Sequence, residues 1–281
     1  DQGGGAIYSR GALTMSNSVV YGNTARYGGA IFCDGVGGGT CRLALNNVTF
    51  ASNTATVNGG ALYNVGAADV WLRNVILWGN TALAGPQIYN NNATPVIDSS
   101  VVEGGDDGSG GDSGLSAFTD GAGNVAANPY LADVSMGDLR LLPGSAAIDA
   151  GAGCPTDDLA GVARPQPAGG ACDIGAHEAQ RFTVVASGGA GQRAIVGAPF
   201  AQPLSLTVTS AVDEPVVGGR IVFSGPVSGA GISPALVTGT VTGGGVVSVS
   251  VSANATAGSY QVVATASGLE AAVVYTLTNL S

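Results

Sequence analysis

Gly-Gly-Ala-Ile-Tyr at residues 4–8 recurs as Gly-Gly-Ala-Ile-Phe at 28–32 and as Gly-Gly-Ala-Leu-Tyr at 59–63, and a diverged copy, Gly-Pro-Gln-Ile-Tyr, follows at 85–89. A second motif, Asn-Thr-Ala, lies between these copies and begins at residues 23, 53 and 80, so that successive repeats are offset by 30 and 27 residues. A repeat of this length with glycine pairs between short apolar segments is typical of one coil of a β-solenoid. The first hundred residues are therefore predicted to stack as successive coils.

Apolar residues alternate ahead of each Asn-Thr-Ala motif, at ten and eight positions before its asparagine. These pairs are Leu13 and Met15, Leu43 and Leu45, and Val70 and Leu72. A period of two indicates strands. A further asparagine stands six positions before each motif, at Asn17, Asn47 and Asn74. Because equivalent residues of adjacent coils lie about 4.8 Å apart, we predict that these three form a structural amide ladder; the competing interpretation is that they bind a ligand.

Two groups of aromatic residues follow from the same alignment of repeats. Tyr8, Phe32, Tyr63 and Tyr89 occupy equivalent positions and are predicted to stack as a structural column. Trp71 lies between the inward-facing Val70 and Leu72, so the alternation places it on the outer surface. There it is predicted either to contact a sugar ring or a partner protein, or to be covered by a neighbouring loop.

The repeats resemble those of chlamydial polymorphic outer-membrane proteins and of related bacterial right-handed parallel β-helix proteins, over residues 3–105. Residues 129–178 contain Pro-Gly-Ser-Ala-Ala-Ile-Asp-Ala-Gly at 143–151 and Asp-Ile-Gly-Ala-His-Glu at 173–178. This segment resembles the closing tail of the choice-of-anchor surface-protein family. The resemblance implies a secreted, surface-displayed bacterial protein and provides no catalytic residue.

After Arg181 the composition changes to Val, Thr, Ser and Ala in alternation, with glycine or proline at the turns. About seven short strands in a hundred residues favour a β-sandwich of immunoglobulin-like architecture. The segment resembles the bacterial Ig-like repeats of surface adhesins. We therefore predict an all-β protein with two domains: a right-handed parallel β-helix with its closing tail at 1–181, loop-rich over 104–181, and an Ig-like sandwich at 182–281.

Composition excludes several classes of function. The 281 residues include 47 glycines, and charged residues make up 10% of the chain, with nine basic residues, all arginine, and a net charge of −10. A basic face is needed for nucleic-acid binding, so that class of partner is not expected. No apolar run reaches the length of about 18 residues that a membrane span requires, so the chain is predicted not to span a membrane.

The four cysteines allow three pairings. Cys33 and Cys41 bracket a glycine-rich loop within one repeat, and Cys154 and Cys172 bracket a proline-rich loop in the tail. We predict these two local disulfides, which suit an oxidising, extracellular setting. Neither pair has the close spacing of a zinc site.

Enzymatic function is tested by the pattern of titratable residues. The chain has one histidine and no lysine, and the coils between residues 2 and 97 contain only the acids Asp34 and Asp69. Polysaccharide-cleaving β-helices need a clustered set of acids with a basic residue. The prediction is therefore a non-enzymatic protein, with His177 as a structural hydrogen-bonding residue. The alternative is a carbohydrate-binding or polysaccharide-cleaving β-helix protein.

The acidic, glycine-rich loop over residues 103–112 is the weak candidate for a cofactor site. Its Asp106, Asp107 and Asp112 provide oxygen ligands of the kind that Ca²⁺ prefers. The spacing matches neither an EF-hand nor a glycine-nonapeptide calcium motif, and a solvated, mobile loop is the competing interpretation. No other metal or cofactor is expected.

The predicted function is that of an extracellular structural or adhesive surface protein. Asp1 and Gln2 lead directly into the first repeat without a segment that could cap the coil. An uncapped solenoid end exposes unpaired backbone groups, so we expect either head-to-tail assembly of copies into a filament or stalk, or a trimmed chain that has lost its upstream coils. The expected partners are the protein itself or other cell-surface components.

Overall fold

The computed structural model describes residues 3–37, 40–66, 68–104 and 119–281. The chain is all-β and forms two compact units, one of Asp1–Leu141 with Ala146–Glu178 and one of Leu142–Ser145 with Ala179–Ser281. The sequence-based boundary lies after residue 181 and assigns 142–145 to the first domain. Each unit is described in turn.

The first unit is a parallel β-helix of about three turns. Its strands are β1 (Ile7–Ser9), β2 (Ala12–Tyr21), β3 (Thr24–Tyr27), β4 (Ile31–Gly35), β5 (Cys41–Ala51), β6 (Thr54–Asn58), β7 (Leu62–Gly66), β8 (Ala68–Arg73), β9 (Ile76–Trp78), β10 (Ile88–Asn91), β11 (Val96–Asp98), β12 (Val101–Val102) and β13 (Thr119–Asp120). One parallel sheet has the order β1-β4-β7-β10, a second has the order β12-β9-β5-β8-β11-β13 with β2 beside β5, and β3 pairs with β6. The predicted solenoid is confirmed.

The register places like residues over like in successive coils. Leu13 lies opposite Leu43, and Leu43 opposite Val70. Leu43 and Val70 are each 1% exposed, and they belong to one continuous apolar core. The apolar residues alternate because every second side chain of these strands faces a single core, to which every coil contributes.

The glycine pairs are required by the close approach of adjacent coils. Gly28 has φ of +60°, a left-handed conformation that glycine adopts without a steric penalty. A Cβ atom on Gly29 would lie 2.1 Å from the carbonyl oxygen of Gly60 in the next coil. Any larger residue there would push the coils apart.

The tail of the first unit contains little regular structure. Strands β14 (Leu131–Asp133) and β15 (Asp138–Leu141) pair antiparallel around a short 3₁₀ turn at Val134–Met136. From residue 146 to Glu178 the chain makes bends and isolated bridges and is held by side-chain contacts.

The second unit contains mainly antiparallel sheets. Its strands are β16 (Thr183–Gly188), β17 (Arg193–Ile195), β18 (Leu204–Thr209), β19 (Arg220–Ser224), β20 (Ile232–Ser233), β21 (Leu236–Thr240), β22 (Val246–Val249), β23 (Ser252–Ala253), β24 (Gly258–Thr265) and β25 (Val273–Leu280). A three-stranded sheet has the order β16-β18-β22 and a five-stranded sheet has the order β17-β25-β24-β19-β21. Alternate residues such as Leu206, Phe223 and Leu277 are fully buried and form its core.

Across the residues that the structure describes, no helix has the length and apolar character needed to cross a membrane.

Candidate functional site

A column of aromatic rings runs along the sheet of β1, β4, β7 and β10, with one ring from each coil. The register pairs Tyr8 with Phe32, Phe32 with Tyr63, and Tyr63 with Tyr89. Adjacent ring centroids lie 5.2, 4.8 and 5.4 Å apart. These distances fall within the range of favourable ring contacts, so the predicted column is confirmed.

Tyr27, at the end of β3, adds a ring that the repeat alignment did not predict. It stacks on Tyr63, with centroids 5.3 Å apart and ring planes inclined by 25°. The guanidinium of Arg26 lies 5.3 Å from the Tyr27 ring centroid, within the distance of a cation–π contact. The aromatic surface is therefore wider than one ring per coil.

A cleft of about 570 Å³ opens beside this column. It is lined by Gly3, Tyr8, Arg10, Tyr27, Phe32, Asp34, Val36, Tyr63 and Val65. The volume lies in the range of small-molecule sites, which combine apolar walls with a few placed polar groups. The cleft is therefore a candidate binding site.

The polar groups of the cleft form one cluster around Asp34. The Tyr8 hydroxyl donates to Asp34 Oδ2, and Arg10 Nε lies 3.1 Å from the same oxygen. The backbone N–H of Val36 donates to Asp34 Oδ1 at 2.9 Å, and Arg10 Nη2 donates to the Val36 carbonyl at 3.2 Å. Asp34 is only 8% exposed, so its carboxylate is held in one orientation.

These contacts fix the protonation states of the cluster. Burial by itself raises the pKa of Asp34, but the hydrogen bonds from Tyr8 and Val36 and the charge of Arg10 outweigh it and hold that pKa below 3.8. The hydrogen bond to Asp34, followed by burial, raises the pKa of Tyr8 above 10.0. At neutral pH the cleft therefore contains an ionised carboxylate beside a protonated phenol.

The disulfide between Cys33 and Cys41 positions this cluster. Cys33 lies in β4 directly before Asp34, Cys41 opens β5, and both are fully buried, with Cα atoms 5.5 Å apart. The bridge ties together the two ends of the loop that carries Asp34 and Val36. The predicted pairing is confirmed.

Sequence reasoning did not pair Arg10 with Asp34. Both stand six residues after the first glycine of their Gly-Gly-Ala-Ile motif, so the repeat alignment contained the signal that they meet across two coils. Two other ion pairs also join residues at paired positions of adjacent coils: Arg42 with Asp69, and Arg73 with Asp98.

The corner asparagines hold the tail as well as each other. Asn74 Nδ2 donates to Asn47 Oδ1 at 3.1 Å, which is one step of the predicted ladder. Asn17 Nδ2 instead donates to the carbonyl of Asp157, so the step between Asn17 and Asn47 is replaced by a contact with the tail. All three residues have positive φ, of 44°, 54° and 51°, a conformation that asparagine tolerates.

Further bonds extend this attachment. Asn47 Nδ2 donates to the carbonyls of Asp173 and Gly175, and Asn74 exchanges hydrogen bonds with the backbone of Ala152. The tail is therefore fixed along one corner of the β-helix by buried amides. The three asparagines that were predicted to form a ladder have a structural role, and this role is mainly to bind the tail to the β-helix.

A continuous amide ladder lies six residues further along each coil, at Asn23, Asn53 and Asn80, where sequence reasoning did not place it. Asn23 Nδ2 donates to Asn53 Oδ1 at 3.0 Å and Asn53 Nδ2 donates to Asn80 Oδ1 at 2.9 Å. Asn80 Nδ2 donates to Gln87 Oε1, and Gln87 Nε2 donates to Glu103 Oε2. The Asn-Thr-Ala motif was the signal for it.

The tail is closed by the second predicted disulfide and by a buried ion pair. Cys154 and Cys172 are joined, with Cα atoms 6.4 Å apart, which confirms the pairing. Arg164 Nη1 lies 2.7 Å from Glu178 Oε2, with side-chain exposures of 1% and 0%. His177 Nδ1 lies 3.9 Å from Asp158 Oδ2, beyond hydrogen-bond distance, and its role as a structural hydrogen-bonding residue stays a prediction.

Of the four remaining predicted site residues, Trp71 lies within the described part of the chain and the three aspartates of the acidic loop do not. Trp71 is 55% exposed, while Val70 and Leu72 on either side are each 1% exposed. Asp106, Asp107 and Asp112 lie outside the described residues. Within the described ranges, no three His, Cys, Asp or Glu side chains come together as a metal site would require.

No protein-family model, curated protein or solved structure matches this chain.

Proposed function

We propose that the chain is a non-enzymatic structural or adhesive part of an extracellular bacterial surface protein. The observation that carries the proposal is that both cysteine pairs are joined in local disulfides, at Cys33–Cys41 and Cys154–Cys172. Such bridges persist in oxidising compartments. The resemblance of the repeats and the tail to surface-protein families points in the same direction.

The architecture that we propose with this function is a right-handed β-helix followed by an Ig-like sandwich. Support for the sandwich comes from the second unit, where a three-stranded and a five-stranded sheet of short strands share alternating buried residues. The first strand, β16, pairs antiparallel with β18 in the smaller sheet. The second strand, β17, pairs parallel with the last strand, β25, in the larger sheet.

A role in binding rather than catalysis is favoured by the composition of the cleft. Asp34 is its one carboxylate among the lining residues that the structure describes, whereas glycoside hydrolysis ordinarily uses two carboxyl groups on either side of the bond. The carboxylate is also already engaged by Tyr8, Arg10 and Val36. Its chemistry suits a fixed acceptor better than a proton carrier.

The location is tested on intact cells of the source organism with antibodies against the chain. The proposal expects labelling of unbroken cells and loss of that labelling after brief external proteolysis. Because the chain contains no lysine, amine-reactive surface labels are unsuitable. Labelling that requires cell lysis would contradict an extracellular role.

Carbohydrate binding or cleavage is the second candidate function, and the aromatic cleft is the observation that favours it. Incubation with acidic and neutral polysaccharides, followed by ultraviolet detection of unsaturated ends and by reducing-sugar assay, separates its two forms. Sustained turnover would overturn the non-enzymatic proposal. Assembly of copies into a filament stays a prediction, for which electron microscopy of native material is the check.

A further inference from the structure

We propose that the cleft beside β1 and β4 binds a neutral pyranose unit of a glycan, with the sugar against Tyr8 and Tyr27 and its hydroxyl groups on Asp34 and Arg10. This deepens the proposed adhesive function and rests on it. It assigns a ligand class to a site that the repeats alone do not explain.

The first step is accessibility of the rings. Tyr8 is 48% exposed and Tyr27 is partly exposed, whereas Phe32 and Tyr63 are each 9% exposed and fill the space behind them. Phe32 and Tyr63 already make the ring contact between their two coils, with centroids 4.8 Å apart and ring planes inclined by 57°. Tyr8 leaves apolar ring surface open to solvent, and so does the part of Tyr27 that Tyr63 and Arg26 do not cover. A pyranose ring presents C–H groups that pack on such surface.

The second step is the balance of charge. Asp34 and Arg10 lie side by side, with 3.1 Å between Arg10 Nε and Asp34 Oδ2, so the lining residues that the structure describes contribute one negative and one positive charge, and the Arg26 guanidinium outside the lining is engaged with the Tyr27 ring. An anionic ligand would meet the Asp34 carboxylate and a cationic one would meet Arg10. A neutral ligand avoids both repulsions, because like charges at close range disfavour binding.

The third step is the pattern of donors and acceptors. A guanidinium has five N–H donors, and the contacts of Arg10 with Asp34 and the Val36 carbonyl engage two of its nitrogens. The Asp34 carboxylate has the Tyr8 hydroxyl and Arg10 Nε on Oδ2 and the Val36 amide on Oδ1, which leaves one of the about four acceptor positions of a carboxylate. The cluster thus keeps both donor and acceptor capacity, which suits sugar hydroxyls because each of them donates and accepts.

The fourth step is preorganisation. The Cys33–Cys41 bridge, the aromatic column and the hydrogen bonds of Asp34 hold the polar and apolar walls in place before a ligand arrives. Fixed groups lose little freedom on binding, and this raises the affinity of a small site. A single sugar unit would still bind weakly, so a chain of several units is the appropriate probe.

The test is isothermal titration of the full chain with a panel of neutral hexasaccharides: cellohexaose, mannohexaose, maltohexaose, xylohexaose and laminarihexaose. Oligogalacturonate serves as the anionic comparator. We expect at least one neutral member to bind with a Kd of about 1 mM or tighter, and the anionic oligomer to bind at least about tenfold more weakly. No binding by any neutral member, or tighter binding of oligogalacturonate, would overturn the proposal.

Variants locate the binding. Tyr27→Ala and Asp34→Asn are each expected to weaken binding about tenfold or more, while Tyr21→Ala, an exposed tyrosine outside the cleft lining, is expected to leave Kd within about twofold. Tyr8→Phe keeps the ring and removes only the hydroxyl, so it is informative even where Tyr27→Ala fails to fold. Non-reducing peptide mapping of both disulfides confirms the fold of each variant.

Two results separate the failure of this inference from that of the proposed function. Loss of binding in Trp71→Ala, with the cleft variants unchanged, would move the site to the outer face of β8 and overturn the assignment. Absence of glycan binding together with labelling of intact cells would remove the inference and leave the surface location in place.

Discussion

Asn53 is the residue whose replacement tests the amide ladder most directly. It is fully buried and makes four side-chain hydrogen bonds: Nδ2 donates to the carbonyl of Val20 and to Asn80 Oδ1, and Oδ1 accepts from the backbone and side-chain N–H groups of Asn23. A net contribution of about 0.5–1.5 kcal/mol per bond gives a total of about 2–6 kcal/mol. Asn53→Ala is therefore expected to lower the free energy of unfolding by about 4 kcal/mol.

Asn23→Ala is the matched control, because it lies at one end of the same ladder and is half-buried. Its side chain donates to Asn53 Oδ1 and to the carbonyl of Tyr21, and water can replace part of both contacts. We expect a loss of about 1 kcal/mol. The difference between the two variants measures the combined effect of burial and of the additional hydrogen bonds of Asn53, since the residue type and the mutation are the same.

The assay is urea unfolding followed by tryptophan fluorescence. The chain has two tryptophans, Trp71 in β8 and Trp78 in β9, and both lie in the first unit. The signal therefore reports the β-helix and not the second unit, which avoids a transition that mixes two domains. If Asn53→Ala and Asn23→Ala destabilise by the same amount, within about 0.5 kcal/mol, the ladder does not hold the coils in the way that we have argued.

Three further outcomes follow from the same contacts. Replacing Cys33 and Cys41 by serine should cost about 2–4 kcal/mol in the same fluorescence assay, and an unchanged midpoint would contradict a role for the bridge in the fold. Arg164→Ala should cost about 3–5 kcal/mol because it leaves the buried Glu178 carboxylate without its partner; a loss comparable to that of an exposed pair, about 0–1 kcal/mol, would refute this. Burial lowers the pKa of His177 below 6.5, although the charges of Asp158 and Asp138 oppose the shift. The unfolded chain therefore takes up a proton at a higher pH than the folded chain does, and the free energy of unfolding should fall as the pH drops below 6.5. NMR titration of this single histidine in the folded protein checks the shift, and a pKa at or above 6.5 would be the contrary result.

The fold of the first unit could be predicted from the repeats because the cause of the pattern is local. Leu43 and Leu45 face inward for the same reason in every coil, and the glycine pair is required wherever two coils turn together. The cysteine pairs could be predicted as well, since each bridges a short loop. Each of these features depends on residues that are close in sequence or equivalent in the repeat.

The candidate site was harder to predict because it depends on contacts between different positions of different coils. Arg10 and Asp34 meet only once β1 and β4 are aligned, and Tyr27 reaches Tyr63 from a separate sheet. The docking of the tail was beyond sequence reasoning altogether, since Asn47 and Gly175 are 128 residues apart. Nothing in the spacing of either residue indicates the other.

The two asparagines of each repeat show why the pattern alone was ambiguous. The two asparagines lie six residues apart in each of the three repeats. Asn47 has a left-handed backbone, with a φ of 54°, whereas the φ of Asn53 is not positive. The left-handed backbone at Asn47 directs its amide towards the carbonyls of Asp173 and Gly175, whereas Asn53 keeps its amide in line with the neighbouring coils. A repeated asparagine thus has two separate uses, stacking coils in one place and receiving the tail in the other. Because the second use recurs at one corner in three successive coils, at Asn17, Asn47 and Asn74, the tail is held along the β-helix and belongs to the first unit as a structural part of its wall.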